Sequence, residues 1–253
     1  MKILLFDNVN LFGSTFPHIA ASIASAESHG NEVILLEPFP CEYVEKFRSI
    51  YRHNNPNPMG FTFFNLSRWF LMREWMEMSQ EPVVFHMESD VLLYVKLEKL
   101  WDDCKKSTYA TSPVGSAFVT LKGLTIMTDW LMNVFTCQRE LECSTFPGTS
   151  SDQRNLEWFL CRQQQPNLCD LGHGMIDSNL YDLKGEQGFE EHKDILFSEG
   201  LPYWVTRLGL WRMSTLHCWG RSKNQVSNIY QQSLLSKNNH PVRLTVNTSD
   251  YDI

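Results

Sequence analysis

No long hydrophobic run, no paired cysteines and no glycine-rich phosphate loop occur in this chain of 253 residues. No apolar stretch approaches the roughly 20 residues that a membrane-crossing helix needs. The seven cysteines, at positions 41, 104, 137, 143, 161, 169 and 218, are odd in number, scattered and never spaced Cys-x-x-Cys. That pattern favours reduced thiols in a cytosol over a disulfide framework. The N-terminus enters Lys2-Ile3-Leu4-Leu5-Phe6-Asp7 at once, too short for a secretory leader, so a soluble, cytoplasmic protein is expected. Without Gly-x-Gly-x-x-Gly or a Walker-type Gly-Lys-Ser/Thr after the first strand, a dinucleotide fold and a P-loop nucleotidase are disfavoured. Excess positive charge is missing too. A net charge of −7 argues against nucleic acid or an anionic membrane surface as the main partner. An anionic small molecule would then need a local cationic site or a metal. Repeats, low-complexity tracts and convincing linkers are also lacking, which leaves a single domain over residues 1–253.

What is present is core-forming material: 43% apolar residues, with eight Trp and sixteen Phe, enough to bury a sizeable interior. Ile3 to Phe6 reads as a strand and Pro17 opens a helix with Ile19, Ile23 and Ala26 on one face. Gly30 closes that helix and Glu32 to Leu36 is the next strand. Strand, helix, strand with short links opens a parallel α/β sheet. A short helix is expected over Glu42 to Tyr51, and a longer one from Asn65 with Trp69, Met72, Trp75 and Met76 on a shared face. Asn65 or Ser67 would cap it, placing Arg68 at its N-terminal end. Val91 to Tyr94, Tyr109 to Ser112 and Ala117 to Thr120 are further strand candidates, and Leu124, Met127, Leu131 and Phe135 mark a helix. Residues 163–200 lack periodicity and read as loops and short helices; the tail from Asn238 is polar and reads as loosely held.

The run Val83-Val84-Phe85-His86-Met87-Glu88-Ser89-Asp90 stands apart, a buried-strand pattern that ends in two carboxylates. Ligands of α/β sheets sit at the carboxyl ends of strands. A turn after Met87 aims both Glu88 and Asp90 at one hard cation, and Mg²⁺ or Mn²⁺ suits oxygen donors while leaving positions for phosphate. The spacing alone proves little, because acid-any-acid recurs at Glu140-Leu141-Glu142 and Asp250-Tyr251-Asp252. By itself it is better explained as a charged strand exit.

Two more stretches change the balance. Ser150-Ser151-Asp152-Gln153 opens a helix, where Asp152 is an ordinary N-cap but also faces whatever binds at the helix start. Later the chain reads His217-Cys218-Trp219-Gly220-Arg221-Ser222-Lys223. A neutral imidazole at His217 favours Mn²⁺ over Mg²⁺, Gly220 lets backbone pass close to a phosphate, and Lys223 brings a mobile positive charge.

In order and separation, Glu88-Ser89-Asp90, Asp152-Gln153 and His217-x-x-Gly220-x-x-Lys223 resemble the metal, sugar and diphosphate motifs of GT-A nucleotide-sugar glycosyltransferases. The likeness is greatest to glycosyltransferase family 8, the glycogenin and bacterial galactosyltransferase group, and spans residues 1 to about 225. Arg68 falls where that family carries Lys or Arg on the helix before the metal-binding strand. The resemblance implies an α/β GT-A fold with a mostly parallel central sheet flanked by helices. It divides the chain into a nucleotide and metal half (about 1–120), a sugar and acceptor half (about 121–237) and a polar tail (238–253). It implies Mn²⁺ or Mg²⁺ on Glu88, Asp90 and His217, and a donor diphosphate on Lys223, Gly220 and Arg68. Gly115, Ser116 and Ser89 would lie near the donor sugar, with Asp152 and Gln153 as catalytic residues.

The expected activity is transfer of a hexose or pentose from a UDP- or GDP-sugar to a glycan or other hydroxyl acceptor. Family 8 enzymes retain anomeric configuration; an inverting enzyme would recast Asp152 as a base. Two departures bear on the subfamily: Glu88 stands where Asp is usual, and Asn224-Gln225 replaces Pro-Trp after Lys223. Two rivals remain open. One is a metal-dependent phosphohydrolase built on Glu88, Asp90 and His217; the other is an inactive nucleotide- or glycan-binding module.

Overall fold

The computed structural model describes residues 1–6, 17–37, 39–53, 57–98, 101, 110–111, 116–137, 192–206, 209–218, 225–238 and 240–247. Apolar runs set the central sheet. β1 (Lys2–Phe6) pairs in parallel with β2 (Glu32–Leu36) on one side and β3 (Val83–Met87) on the other. The link between β1 and β2 is α1 (Pro17–Glu27), closed at Gly30, whose φ of +76° is cheap only for a residue without Cβ. β3 is flanked in turn by β6 (Ser116–Thr120), antiparallel to it, and β6 by β5 (Ala110–Thr111). The order is β2-β1-β3-β6-β5, and four of the five strands point the same way, with β6 opposed.

Side-chain alternation splits this sheet between two cores. Leu4, Phe6 and Val84 face α2 (Glu42–Ile50), α3 (Met59–Ser79) and α4 (Leu121–Thr136). Ile3, Leu5, Phe85 and Met87 face the opposite way, with Ile19 and Ala26 of α1.

α3 departs from expectation. It begins at Met59 behind Pro58, which makes no side-chain cap, so Asn65 and Ser67 lie inside it. Ser67 turns its hydroxyl back to the Phe64 carbonyl at 3.0 Å rather than capping anything. The helix extends because Phe63 and Phe64 also pack on the core, Phe63 stacking 5.8 Å from Phe47. Arg68 is therefore a mid-helix residue, buried with its neighbours Trp69, Phe70, Leu71 and Met72.

A third core lies beyond the carboxyl ends of the sheet. β4 (Val91–Leu93) pairs antiparallel with β10 (Thr215–His217), and its residues alternate between cores: Val91 and Leu93 join Phe85, whereas Leu92 meets Leu216, Ile195 and Phe197. A four-stranded antiparallel sheet, β11-β7-β8-β9, closes over α5 (Val226–Asn238). Its strands are β7 (His192–Ser198), β8 (Leu201–Thr206), β9 (Gly209–Arg212) and β11 (Val242–Asn247).

Two expectations are corrected here. Residues 192–198 form a strand rather than loop, and the tail is held, since Val242 to Asn247 pair with Phe197 to His192. The β7–β8 turn consists of Glu199 (φ 54°) and Gly200 (φ 79°), both left-handed as a two-residue hairpin turn of matching twist requires. Glu at its first position gave the sequence no recognisable turn signal.

Candidate active site

The site grows out of the exit from β3. Glu88 follows Val84 and His86 on the face turned to α3, and the Val91 amide donates to the Glu88 carbonyl at 3.2 Å, closing a tight turn. α1 pins that turn: the Ser22 hydroxyl donates to the Ser89 carbonyl at 2.6 Å, and the Leu93 amide donates to the Ser25 hydroxyl at 3.0 Å. On the other side β10 locks to β4, with His217 in register with Val91 and the Cys218 amide donating to the Asp90 carbonyl at 2.9 Å. Backbone pairing thus fixes His217 beside Asp90.

The side chains converge. His217 Nε2 lies 3.4 Å from Asp90 Oδ1 and 3.6 Å from Glu88 Oε2. One potential ligand atom from each of Glu88, Asp90 and His217 falls within 4.8 Å of the others. Arg68 Nη1 donates to Glu88 Oε1 at 2.8 Å. Asp90 and His217 are each 1% exposed, so a carboxylate and an imidazole are withdrawn almost wholly from water next to a second carboxylate. Concentrating acidic charge in a dry place is costly unless cations offset it, and Arg68 is one such cation. Two oxygen donors and one ring nitrogen facing a common point form a fitting donor set for a divalent ion.

Among the described residues, two neighbouring titratable groups stay uncharged. Burial, and then the Arg68 guanidinium, hold the His86 imidazole neutral, well below its ordinary range. Its ring packs 5.1 Å from Trp69 and 5.8 Å from Phe6. Burial, and then the Asp90 carboxylate, push the Cys218 thiol well above its ordinary range, so it remains a protonated, apolar neighbour.

Of the residues singled out in the sequence, Glu88, Asp90, His217 and Arg68 come together, with Ser89 in the turn between the acids. Ser116 opens β6 opposite Met87, one residue before Glu88; it is buried, and its Oγ has no hydrogen-bond partner among the described residues. Arg68 reaches Glu88 from the middle of α3, not from a helix end as expected. Gly115, Asp152, Gln153, Gly220 and Lys223 lie outside the described residues. One neighbour escaped the sequence analysis: His18, buried near the start of α1, whose Nε2 is 3.4 Å from Ser89 Oγ. A lone His one residue into a helix carries no motif, and only folding brings α1 against the β3 exit.

Strand order, covering helices and the carboxylate turn after β3 make this an α/β fold of the GT-A type, the fold of nucleotide-diphospho-sugar transferases. Among solved structures, it is similar to an active-site mutant of LgtC (TM-score 0.52, 10% identity, 91% of this chain and 95% of that one). It is likewise similar to the galactosyltransferase LgtC in complex with donor and acceptor sugar analogs (TM-score 0.51, 11% identity, again 91% and 95%). No protein-family model matches the sequence, and no curated protein matches it significantly. Among the described residues no helix is long and apolar enough to cross a membrane.

Proposed function

We propose that this chain is a metal-dependent glycosyltransferase that moves a sugar from a nucleoside-diphosphate sugar, with UDP or GDP as the carrier, to a hydroxyl of a glycan or similar acceptor. The observation that carries the reading is the convergence of Asp90, from the turn after β3, and His217, from β10, on one point at the carboxyl end of a GT-A sheet.

Glu88, Asp90 and His217 would hold Mn²⁺ or Mg²⁺, with the imidazole favouring Mn²⁺. When bound, the cation offsets the negative charge that builds on the departing diphosphate. Lys223 donates to a phosphate oxygen, and Gly220 lets the backbone approach the same group. The buried Ser116 hydroxyl, without a hydrogen-bond partner among the described residues, supports a polar contact to the donor sugar, in company with Gly115 and Ser89. Asp152 and Gln153 orient the sugar and steady positive charge at its anomeric carbon, and transfer proceeds with retention, as in family 8. Residues 1–253 act as one domain, with the nucleotide and metal half over about 1–120 and the acceptor half beyond it. The free thiols Cys41, Cys137 and Cys218 suit a reducing cytosol.

Calorimetric titration with a panel of UDP- and GDP-sugars, with and without Mn²⁺, tests the proposal. Nucleotide binding that needs Mn²⁺, together with sugar transfer, is the expected result. Release of phosphate from simple esters would favour a phosphohydrolase on the same three residues. Nucleotide binding without transfer to any hydroxyl acceptor would favour an inactive binding module.

A further inference from the structure

The carboxylate of Glu88 is divided between two neighbours. Its Oε1 accepts from Arg68 Nη1 at 2.8 Å, while its Oε2 is turned to His217 Nε2 at 3.6 Å. Arg68 does this from an unusual place. It is 8% exposed, in the middle of the helix that packs its apolar face on the sheet, with its guanidinium 5.5 Å from the centre of the Trp69 ring. A guanidinium withdrawn from water to that degree is tolerated when carboxylates meet it. Its forked, planar head fixes the direction of the bond it donates, which a flexible ammonium does not.

We infer that Arg68 is a positioning residue: it commits one oxygen of Glu88 so that the other, and only the other, serves the cation. The inference rests on the metal reading above and deepens it. Glu88 has one more rotatable bond than an aspartate, so without a second anchor its carboxylate would spread over several rotamers. Asp90 needs no such help, because the turn and the β4–β10 pairing hold its backbone on both sides. A longer acid in the first position thus comes with a buried arginine that restores its aim. Outer groups that hydrogen-bond a metal's carboxylate ligands typically change metal affinity by about 10–100-fold.

Simple electrostatics predicts the opposite sign, which makes the inference testable. Deleting a positive charge near a cation site raises cation affinity if charge is all that Arg68 supplies. Binding of Mn²⁺ alone, without nucleotide, is followed through loss of the free ion's paramagnetic resonance signal. The proteins are the full chain and the variants Arg68→Met, Arg68→Gln and Asp90→Asn, each checked for native circular dichroism. Positioning predicts that Arg68→Met weakens Mn²⁺ binding about tenfold or more. Arg68→Gln, which keeps an N–H for Glu88 Oε1 without the charge, recovers part of that loss. Unchanged or tighter Mn²⁺ binding in both Arg68 variants, with binding abolished in Asp90→Asn, overturns the positioning role and leaves the metal site standing. Failure of the unaltered chain to bind Mn²⁺ overturns the metal reading and this inference with it. Should Arg68→Met not fold, the comparison of Arg68→Gln with the unaltered chain decides: tighter or equal binding rejects the role, and weaker binding supports it.

Discussion

Nε2 of His217 stands 3.4 Å from Oδ1 of Asp90, each residue held by the short ladder between β4 and β10. Neither side chain reaches bulk water, and the backbone of Asp90 accepts a hydrogen bond from the residue after His217. Under the proposed function, Mn²⁺-dependent nucleotide binding should therefore fail in Asp90→Asn and in His217→Ala, by more than ~100-fold in affinity. That exceeds the usual effect of altering a group that only hydrogen-bonds a metal's ligand. Isothermal titration with UDP and Mn²⁺ measures it, and binding that survives in either variant would contradict the site.

Asn31 ties the end of α1 to the chain beyond β4. Its Nδ2 donates to the carbonyls of Ala26 (3.0 Å) and Val95 (2.9 Å), and its Oδ1 accepts from the Leu97 amide at 3.0 Å. The side chain is buried. The Ala26 carbonyl also accepts from the His29 and Asn31 amides, so Asn31→Ala orphans the Val95 carbonyl and the Leu97 amide and should cost about 3 kcal/mol. Urea unfolding gives the value; a loss under about 1 kcal/mol would mean that water replaces the amide without difficulty.

Phe47 is the hub of the core between α2, α3 and α4. Its ring lies 4.8 Å from Phe70, 5.1 Å from Phe135 and 5.8 Å from Phe63, with none of it exposed. Phe47→Ala should destabilise the fold by about 4 kcal/mol through the cavity it leaves. Phe47→Leu should cost clearly less. Equal losses for the two would show that volume is not what the site requires.

Cys41 caps α2, its sulfur accepting from the Val44 amide at 3.4 Å, and burial together with Glu74 pushes its pKa up to about 12. Native protein treated with iodoacetamide near pH 8 should be alkylated at exposed Cys137 and spared at Cys41, as peptide mass spectrometry would reveal. The linkage has a definite sign. A thiol whose folded pKa is raised favours folding fully below its ordinary value of 9.0, and that contribution is lost as pH rises from there towards 12. Cys41→Ser should shallow the fall of stability over that window.

Gly200 takes φ of +79° in the β7–β8 turn, and a Cβ there would meet Lys237 carbons at 2.6 Å. One of these carbons is Cγ, close to the α5 backbone, so displacing Lys237 adds to the cost of the left-handed backbone. Gly200→Ala should lose at least about 1–2 kcal/mol, readable as a lowered denaturation midpoint. A neutral result would mean that the hairpin relaxes into another turn.

Local chemistry alone determined much of this protein. Apolar runs fixed β1, β2 and β3, Pro17 and Gly30 bracketed α1, and the abrupt change from Met87 to Glu88 marked a strand exit with two acids. These features depend on residues a few positions apart, so period and punctuation reveal them. The start of α3, the strand at 192–198 and the pairing of the tail were not legible in the same way. Helix extension past Asn65 rewards packing of Phe63 and Phe64 on distant residues, and an edge strand such as β11 forms because β7 is there to meet it. The same holds at the site. Sequence supplied Glu88, Asp90, Arg68 and His217 as candidates, but only tertiary structure divided Glu88 between Arg68 and His217 and set His217 against Asp90. Side-chain distance across a sheet is decided by strand register, and register between strands far apart in the chain is a property of the assembled fold.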